Sequence, residues 1–530
     1  MKESWLTKRQ SGALLHITAN PGSDAVGTIN NTYRVADLLK KSGQTVLQRL
    51  PFGPTSVGDS PFQGPSLLAG NPNLISLEAL VKLGDLSASD YGDYLTKWQR
   101  FKSENSGRSQ RYCEYGFLWE HKLGIGSTPG DFTNSVLRKS FLGFKHNKDE
   151  NRLSESEIFY QSQKNWLDDY SLFMTLKQKY GFSKVWSDWN DTDKFRKQGF
   201  GSEINSDEIE FHKYLQFVFD EQMSALSKYL NSIEITTIGD IPIYPAYDSC
   251  DVWQNPEIYQ LDELLNMTYV AAVPPDYFSP EDGQLWGNPV YKFKPIGSEK
   301  LQEKIFSSFS LRINRALRYN DIVKRDHSRA FTAYGRTSAT EKTAKNAEWT
   351  PGPGNSFLDY LENYLGYRPK ILDENLGIIT PDVKTNLENS GNPGMQVLVF
   401  ADPNDKKNEH LIENSKPNCA IYTGTQDNEP VLENISSRNE NSKQGFLKYL
   451  SEHSQEKEVN FQAIDTISSS KANLAIYQMQ DALGFGEGSR TNFPGRLGFW
   501  KWRMTLEDLD RFEEVVGPKL LEITMRNARY

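Results

Sequence analysis

The sequence predicts a single (β/α)₈ barrel with helical insertions. Short apolar segments are followed by polar or glycine-rich loops and then by stretches with helical periodicity, which is the pattern of a parallel sheet. Charged residues stand at the C-terminal ends of these segments, where βα loops build the active sites of barrel enzymes. The length of 530 residues suits one large barrel with insertions, although two to four average domains would also fit.

Six segments are predicted to be buried strands, each ending in a polar loop. Helix-period stretches precede two of them, at residues 211–230 and 356–366. The pattern does not locate the other two strands of a complete barrel. The six segments are residues 44–54, 235–245, 320–327, 369–377, 394–402 and 419–428.

Residues 80–230, approximately, carry long charged helical patterns with few strand signals. We interpret them as helical insertions in the loops of one catalytic barrel that spans residues 1–530. No internal repeat, low-complexity tract or flexible linker divides the chain into independent domains.

Composition argues against several classes of function. The formal net charge of −9 and the pI of about 5.5 give no electrostatic reason to bind nucleic acid or an anionic membrane. No apolar run approaches the roughly 18 residues of a membrane helix, and the N-terminus lacks the apolar run of a signal peptide. We therefore expect a cytoplasmic protein with reduced, mostly buried Cys113, Cys250 and Cys419. The seven histidines lack the i, i+4 spacing of a zinc-binding helix, so no metal is expected. No cofactor is expected either.

Three carboxylates end different predicted strands: Asp326, Glu374 and Asp427. If they meet in one pocket, like charges raise one another's pKa and one acid stays protonated near neutral pH. An ionised nucleophile beside a protonated acid, roughly 5 to 5.5 Å apart, is the requirement of retaining glycoside chemistry. The alternative is that these acids only serve solubility or salt bridges.

The cation beside Asp326 depends on which side chains face the barrel interior. Side chains alternate along a strand, so Lys324 shares a face with Asp326 while Arg325 points to the other side. We expect Lys324 to face inward. A local bulge that turns Arg325 inward is the alternative.

Several long motifs resemble one known family. The chain is similar to the 4-α-glucanotransferases called amylomaltases or disproportionating enzymes, glycoside hydrolase family 77 of the α-amylase clan. The resemblance covers nearly the whole chain, and the order of its motifs is highly specific. The matching runs include SGALLHITANPG, LPFGPTSVGDSPFQ, GDIPIYPAYDSCDVWQNPE, VPPDYFSPEDGQLWGNPVY, DENLGIITPDV, YTGTQDN and QDALGFGEGSRTNFPG.

This resemblance implies a (β/α)₈ barrel without a C-terminal β-domain, acting on maltooligosaccharides or other α-1,4-glucans. By motif position, Asp326 would be the nucleophile, Glu374 the general acid/base and Asp427 the transition-state stabiliser. Asp248 would border the donor sugar. The further substrate-binding residues that the resemblance implies are Ser60, Tyr277, Phe278, Gln284, Trp286, Asn288, Lys324, His327 and Gln426.

The chain departs from the family pattern at several positions near these acids. Lys324 stands where the family has Arg, so Asp326 is expected to be held anionic but aimed less rigidly. Gln426 replaces His and cannot carry charge. The loop around residues 278–284 is one residue longer, and HSRA replaces HFRG.

Three interpretations stay open: an active transferase, a catalytically impaired glucan-binding relic, or an enzyme shifted towards hydrolysis. The sequence does not indicate an oligomeric state.

Overall fold

Two β-sheets form the framework of the structure. The computed structural model describes residues 2–56, 58–106, 110–125, 135–147, 149–201, 204–275 and 279–530. The strands are β1 (Gln10–Leu14), β2 (Val46–Gln48), β3 (Thr236–Ile241), β4 (Tyr269–Val273), β5 (Gln284–Pro289), β6 (Ile322–Arg325), β7 (Ala333–Ser338), β8 (Glu348–Pro351), β9 (Ile371–Asp373), β10 (Gly394–Val397), β11 (Cys419–Tyr422) and β12 (Leu474–Gln478).

The larger sheet is an eight-stranded, all-parallel barrel with the order β10-β11-β12-β1-β2-β3-β6-β9. The seam between β9 and β10 is bridged where the backbone N–H of Asp373 donates to the carbonyl of Pro393 at 2.9 Å. The predicted barrel is confirmed, and each of the six predicted segments contains one of its strands. Because β1 and β12 pair directly, the two ends of the chain close the same barrel.

The two strands that the sequence pattern missed are β1 and β12. The first begins with Gln, Ser and Gly, which have low strand propensity. Its Gly12 is required by close packing, because a Cβ there would lie 2.0 Å from the carbonyl oxygen of Val46. The second is a five-residue apolar run, too short for periodicity alone to separate it from a buried helix.

Helices surround the barrel and fill the long connection between β2 and β3. Helices α2 to α9 occupy that connection, and the last of them, Ser206–Ser232, buries an aromatic face and leads directly into β3. The α-helices are α1 (Thr32–Lys41), α2 (Leu77–Leu83), α3 (Ala88–Glu104), α4 (Tyr115–Phe117), α5 (Val136–His146), α6 (Glu150–Ser162), α7 (Lys164–Tyr180), α8 (Asp191–Lys194), α9 (Ser206–Ser232), α10 (Cys250–Gln254), α11 (Glu299–Leu317), α12 (Ser356–Leu365), α13 (Pro381–Ser390), α14 (Val431–Ser437), α15 (Glu440–His453), α16 (Val459–Ser469), α17 (Met479–Ala482), α18 (Leu506–Arg511) and α19 (Gly517–Arg526).

The smaller sheet is antiparallel, with the order β5-β4-β7-β8, and it was not predicted. It is built from the connections that follow β3 and β6, so it lies at the C-terminal end of the barrel. The sequences QLWGNP and AYGRTS mix glycine with polar residues and give weak strand signals. Its strand β5 carries Gln284, Trp286 and Asn288, which the sequence analysis predicts to bind substrate.

The interior is a continuous apolar core that includes fully buried Trp166, Trp186 and Trp253. Cys113, Cys250 and Cys419 are buried free thiols. Among the described residues, no helix is both long and apolar enough to cross a membrane.

Candidate active site

Lys324 on β6 stands at the centre of a cluster of carboxylates at the C-terminal end of the barrel. Its side chain is fully buried, and its Nζ lies 2.8 Å from Oδ2 of Asp240 and 3.6 Å from Oδ1 of Asp326. It also forms an ion pair with Oε2 of Glu374. One cation therefore holds carboxylates from three neighbouring strands or the loops that directly follow them.

Strand alternation decides which cation enters this cluster. Lys324 is in register with Asp240 on β3, and paired residues of parallel strands point to the same side of a sheet. Arg325 points away from the interior, where its Nε donates to Oδ1 of Asp373 at 2.7 Å and its guanidinium stacks on Phe331. The bulge considered as an alternative does not occur.

Asp240 is a member of the cluster that sequence reasoning did not select. Its carboxylate is fully buried, and Oδ1 has no hydrogen-bond partner within the described residues. Burial raises its pKa to about 6, against the opposing charge of Lys324 and with a further rise from Glu374. The available signal was the position of Asp240 near the end of a predicted strand, as for the three acids that were selected.

Asp326 and Glu374 share Lys324 as their counter-charge. Their side chains are 19% and 15% exposed. Burial and the charge of Glu374 raise the pKa of Asp326 well above its ordinary value, although Lys324 opposes this. Burial also acts to raise the pKa of Glu374, but the charge and hydrogen bond of Lys324 outweigh it and the net pKa falls.

These pKa directions are opposite to those that the retaining chemistry predicted from the sequence needs, with Asp326 ionised and Glu374 protonated. The physical reason is distance, because Lys324 contacts Glu374 directly but lies 3.6 Å from Asp326. Such a reaction therefore requires a substrate that favours the protonated form of Glu374.

Asp427 follows β11 and is fixed by amide groups. Asn492 donates from Nδ2 to its Oδ1 at 2.5 Å, and Gln426 donates from Nε2 to its Oδ2 at 3.0 Å. Burial and the charge of Glu374 raise the pKa of Asp427, against the hydrogen bond of Asn492 and the charges of Lys324 and Arg490. Sequence reasoning missed Asn492 and Arg490 as supports, although both lie in the quoted GSRTNFPG run.

His327 and Trp286 form a wall beside Asp326. The backbone of His327 is left-handed, with φ of 43°, which is rare for a residue with a side chain and marks a constrained turn. Burial lowers the pKa of His327 to about 4, so the ring is neutral at pH 7, and Nε2 has no partner within the described residues. Trp286 contacts this ring edge-on, with centroids 4.7 Å apart. A neutral ring nitrogen next to an aromatic face suits a sugar hydroxyl.

Asn288, which the sequence predicts to bind substrate together with Ser60, connects β5 to the 60–63 loop. Gln63 donates from Nε2 to Oδ1 of Asn288 at 2.9 Å, and Asn288 donates from Nδ2 to the carbonyl of Pro245 at 2.8 Å. The hydroxyl of Ser60 accepts from the backbone N–H of Phe62 at 3.2 Å. The amide of Asn288 thus locks the 60–63 loop onto β5, and its predicted sugar contact stays a prediction.

Asp248 lies in the loop that follows β3 and is held there by an ion pair. The carboxylate of Asp248 is paired with Nζ of Lys177 at 2.6 Å and accepts from the backbone N–H of Trp186 at 3.3 Å. It ties helix α7 to the loop after β3, and its proximity to a donor sugar stays a prediction. Tyr277 and Phe278 lie outside the described residues.

Comparison with known proteins gives one consistent family. The family model described as 4-alpha-glucanotransferase matches residues 15–508. A 4-alpha-glucanotransferase of Clostridium butyricum is 37% identical over 92% of this chain and 95% of its own length. One of Thermus thermophilus is 35% identical over 94% of this chain and 95% of its own length.

Solved structures agree in fold. The amylomaltase from Streptococcus agalactiae in complex with acarbose superposes with a TM-score of 0.85 at 30% identity, covering 98% of this chain and 100% of the other. The amylomaltase from Corynebacterium glutamicum shares the fold with a TM-score of 0.75 at 16% identity, covering 97% of this chain and 75% of the other.

Proposed function

The chain belongs to the 4-alpha-glucanotransferase family, glycoside hydrolase family 77, and we propose that it transfers α-1,4-glucan segments between maltooligosaccharides by a retaining double displacement. The observation that carries the mechanism is the buried Lys324, which brings Asp326 and Glu374 together while both keep access to the cleft. Retaining chemistry requires two adjacent carboxyl groups that exchange protonation states during the reaction.

In the first step Glu374 donates its proton to the glycosidic oxygen while Asp326 attacks the anomeric carbon. The glycosidic bond breaks, the reducing-end segment leaves, and a β-linked glucosyl ester forms on Asp326. A bound glycosidic oxygen favours the protonated form of Glu374, because only that form can donate a hydrogen bond to it. Substrate binding thus favours a protonated Glu374 beside an ionised Asp326.

In the second step the ionised Glu374 removes the proton from the 4-hydroxyl of an acceptor glucan. That oxygen attacks the anomeric carbon, the ester to Asp326 breaks, and an α-1,4 bond is restored. Asp427, held by Asn492 and Gln426, is placed to stabilise positive charge that develops on the sugar ring. Gln426 donates a hydrogen bond to Asp427 but adds no charge to the site.

Incubation of the purified protein with maltotriose tests this function. Transfer produces glucose and longer oligomers with no net gain in reducing ends. A steady rise in reducing ends would indicate the enzyme shifted towards hydrolysis. A chain that binds maltotriose and leaves it unchanged would be the glucan-binding relic.

Replacement of Trp286 by Ala is expected to raise the ratio of hydrolysis to transfer by several-fold. The indole packs against His327 beside Asp326, where it occupies space that water would otherwise fill and offers a flat face to an acceptor sugar. The ratio is measured from reducing ends and chain-length distribution with maltotriose. Tyr367→Ala is the matched control, because this exposed aromatic residue follows α12 and lies before β9, at the opposite end of the barrel. An unchanged ratio in Trp286→Ala would show that the indole does not exclude water.

Replacement of Glu374 by Gln is expected to lower transfer from maltotriose by about 10³-fold, the usual contribution of general acid–base catalysis. The loss has a specific signature. The fluoride ion of α-glucosyl fluoride leaves without protonation. The variant should therefore form the glucosyl ester from this donor much faster than from maltotriose. Equal losses with both donors, measured under single-turnover conditions, would remove Glu374 from the role of acid.

We also propose that residues 1–530 act as one catalytic unit in the cytoplasm. The direct pairing of β1 with β12 supports a single unit, since neither end of the chain can be separated from the barrel. The three free thiols support a reducing compartment.

A further inference from the structure

The backbone of Glu374 is bound to the turn that contains Asp326. The backbone N–H of Glu374 donates to the carbonyl of Arg325 at 3.2 Å, and the backbone N–H of Ser328 donates to the carbonyl of Glu374 at 3.0 Å. Asp326 and His327 are the two residues between these contacts. The backbone of the proposed acid is therefore hydrogen-bonded on both sides of the proposed nucleophile.

The hydroxyl of Ser328 strengthens this connection. Its Oγ donates to the same carbonyl of Glu374 at 2.8 Å, and Ser328 is only 8% exposed. A carbonyl oxygen has two lone pairs, so it can accept both hydrogen bonds. Any residue except proline supplies the backbone N–H, whereas the hydroxyl requires a serine or a threonine. Ser328 is also the position at which HSRA first departs from HFRG, so this hydroxyl is a feature of this chain.

Glu374 lies at the start of an irregular segment. It is the first residue after β9, and the next helix, α13, begins at Pro381. Its neighbour Asn375 accepts from the backbone N–H of Met395 on β10 at 2.6 Å. Glu374 is thus held towards β10 through Asn375 and towards the end of β6 through Ser328.

The turn that contains Asp326 depends on support from outside it. His327 has a left-handed backbone with φ of 43°, a conformation that is unfavourable for a residue with a side chain and persists where the surrounding structure enforces it. The two hydrogen bonds from Ser328 to Glu374 act directly after His327. The relative position of Asp326 and Glu374 therefore depends in part on Ser328.

We propose that Ser328 is a positioning residue for the acid step of the reaction. Its hydroxyl holds the backbone of Glu374 so that the carboxyl group is directed at the glycosidic oxygen while Asp326 faces the anomeric carbon. This role rests on the proposed function, in which Glu374 donates that proton. Ser328 acts through Glu374 and not on the sugar, because its hydroxyl is buried and already donates to a carbonyl.

The attack by Asp326 is expected to depend less on Ser328 than the proton donation does. The backbone N–H of Asp326 donates to the carbonyl of Ile241 on β3 at 3.3 Å, and its carboxylate lies next to Lys324. Neither contact involves the serine hydroxyl. A donor whose leaving group needs no proton should therefore be almost unaffected by loss of this hydroxyl.

Replacement of Ser328 by Ala tests this role, because it removes the hydroxyl and leaves the backbone N–H in place. Under single-turnover conditions, formation of the glucosyl ester from maltotriose should slow by about 10-fold. The same step from α-glucosyl fluoride should stay within about 2-fold of the rate of the unchanged protein. Ser468→Ala is the matched control and should change neither rate, because Ser468 is also buried and its hydroxyl donates to the carbonyl of Ile464 within α16 at 2.7 Å.

Equal losses from the two donors in Ser328→Ala would indicate a general effect on the fold and would overturn the proposal. An unchanged rate with maltotriose would overturn it as well. The unchanged protein is measured in the same series. Transfer from maltotriose by that protein supports the proposed function even where Ser328→Ala slows both donors equally, whereas the absence of transfer would end both proposals.

A double-mutant cycle with Glu374→Gln gives a second measurement. If Ser328 acts through the acid, Ser328→Ala should lower the remaining rate of Glu374→Gln with maltotriose by less than about 2-fold. A further loss of about 10-fold in the double variant would mean that the serine acts independently of Glu374, and it would overturn the proposal.

Discussion

Asp326→Asn is expected to lower transfer from maltotriose by about 10⁴-fold or more, since loss of a catalytic nucleophile leaves only binding and electrostatic contributions. The amide cannot form the glucosyl ester, and Glu374 loses the carboxylate with which it shares Lys324. Asp321→Asn is the matched control, because Asp321 precedes the same strand at the other end of the barrel, where it accepts from the backbone N–H and the hydroxyl of Thr237. Asp321→Asn should keep most activity. A folded Asp326→Asn variant with more than about 1% of the original rate would contradict the nucleophile assignment.

The same variant is expected to be as stable as the original protein, or more stable, at neutral pH. The pKa of Asp326 is raised by burial and by Glu374, so the folded state favours its protonated form. A raised pKa gives stability that is present at low pH and is lost as the pH rises through the folded-state pKa. Asn mimics the protonated acid at every pH. The difference in melting temperature between variant and original should therefore be largest at neutral or higher pH and shrink towards acid pH.

Lys324→Met is expected to produce the second large effect, a loss of stability of about 3 to 5 kcal/mol at pH 7 together with a loss of most activity. The ammonium is buried and contacts Asp240, Asp326 and Glu374. Burial lowers the pKa of Lys324, but these carboxylates outweigh burial and raise it well above its ordinary value. Removal of the ammonium leaves three neighbouring acids without a counter-charge, so at least one more proton must be taken up. The difference in pKa between Asp326 and Glu374 is then lost.

Two comparisons separate electrostatic loss from general damage to the core. Lys122→Met removes another buried lysine, which pairs with Asp24 at 2.6 Å and donates to the carbonyl of Asn73, and it should lower stability while the folded fraction keeps its turnover number. Lys324→Arg restores the charge with two parallel donors and should retain or raise activity. Denaturant unfolding at pH 7 and pH 5 reports the stability change. If Lys324→Met keeps normal turnover, the lysine does not control the carboxylate pair.

The sequence predicted the barrel because six of its eight strands carry a physical signal, an apolar run followed by polar residues. It also predicted that Lys324 rather than Arg325 faces inward, because alternation along a strand is a local rule. It did not predict β1, where Gly12 exists for a contact with Val46 that only the closed barrel creates. Long-range closure of this kind has no local pattern.

Sequence patterns also predicted only part of the candidate active site. Asp326, Glu374 and Asp427 stood out because each ends a predicted strand, yet Asp240 has the same position and was passed over. The raised pKa of Asp326 and the lowered pKa of Glu374 could not be foreseen, since they follow from burial and from the direct contact of Lys324 with Glu374, whereas Lys324 lies 3.6 Å from Asp326. Distances of this size are set by packing of the whole barrel.

The central claim is that Asp326 forms a covalent bond to the donor sugar while Glu374 handles the proton. Reaction with 5-fluoro-α-glucosyl fluoride, a donor whose glucosyl ester forms and breaks down slowly, followed by proteolysis and mass spectrometry, tests it directly. We expect one label per chain, on the carboxylate of Asp326. A label on Glu374 or Asp427, or continued transfer from maltotriose by a protein that never acquires a label, would contradict it.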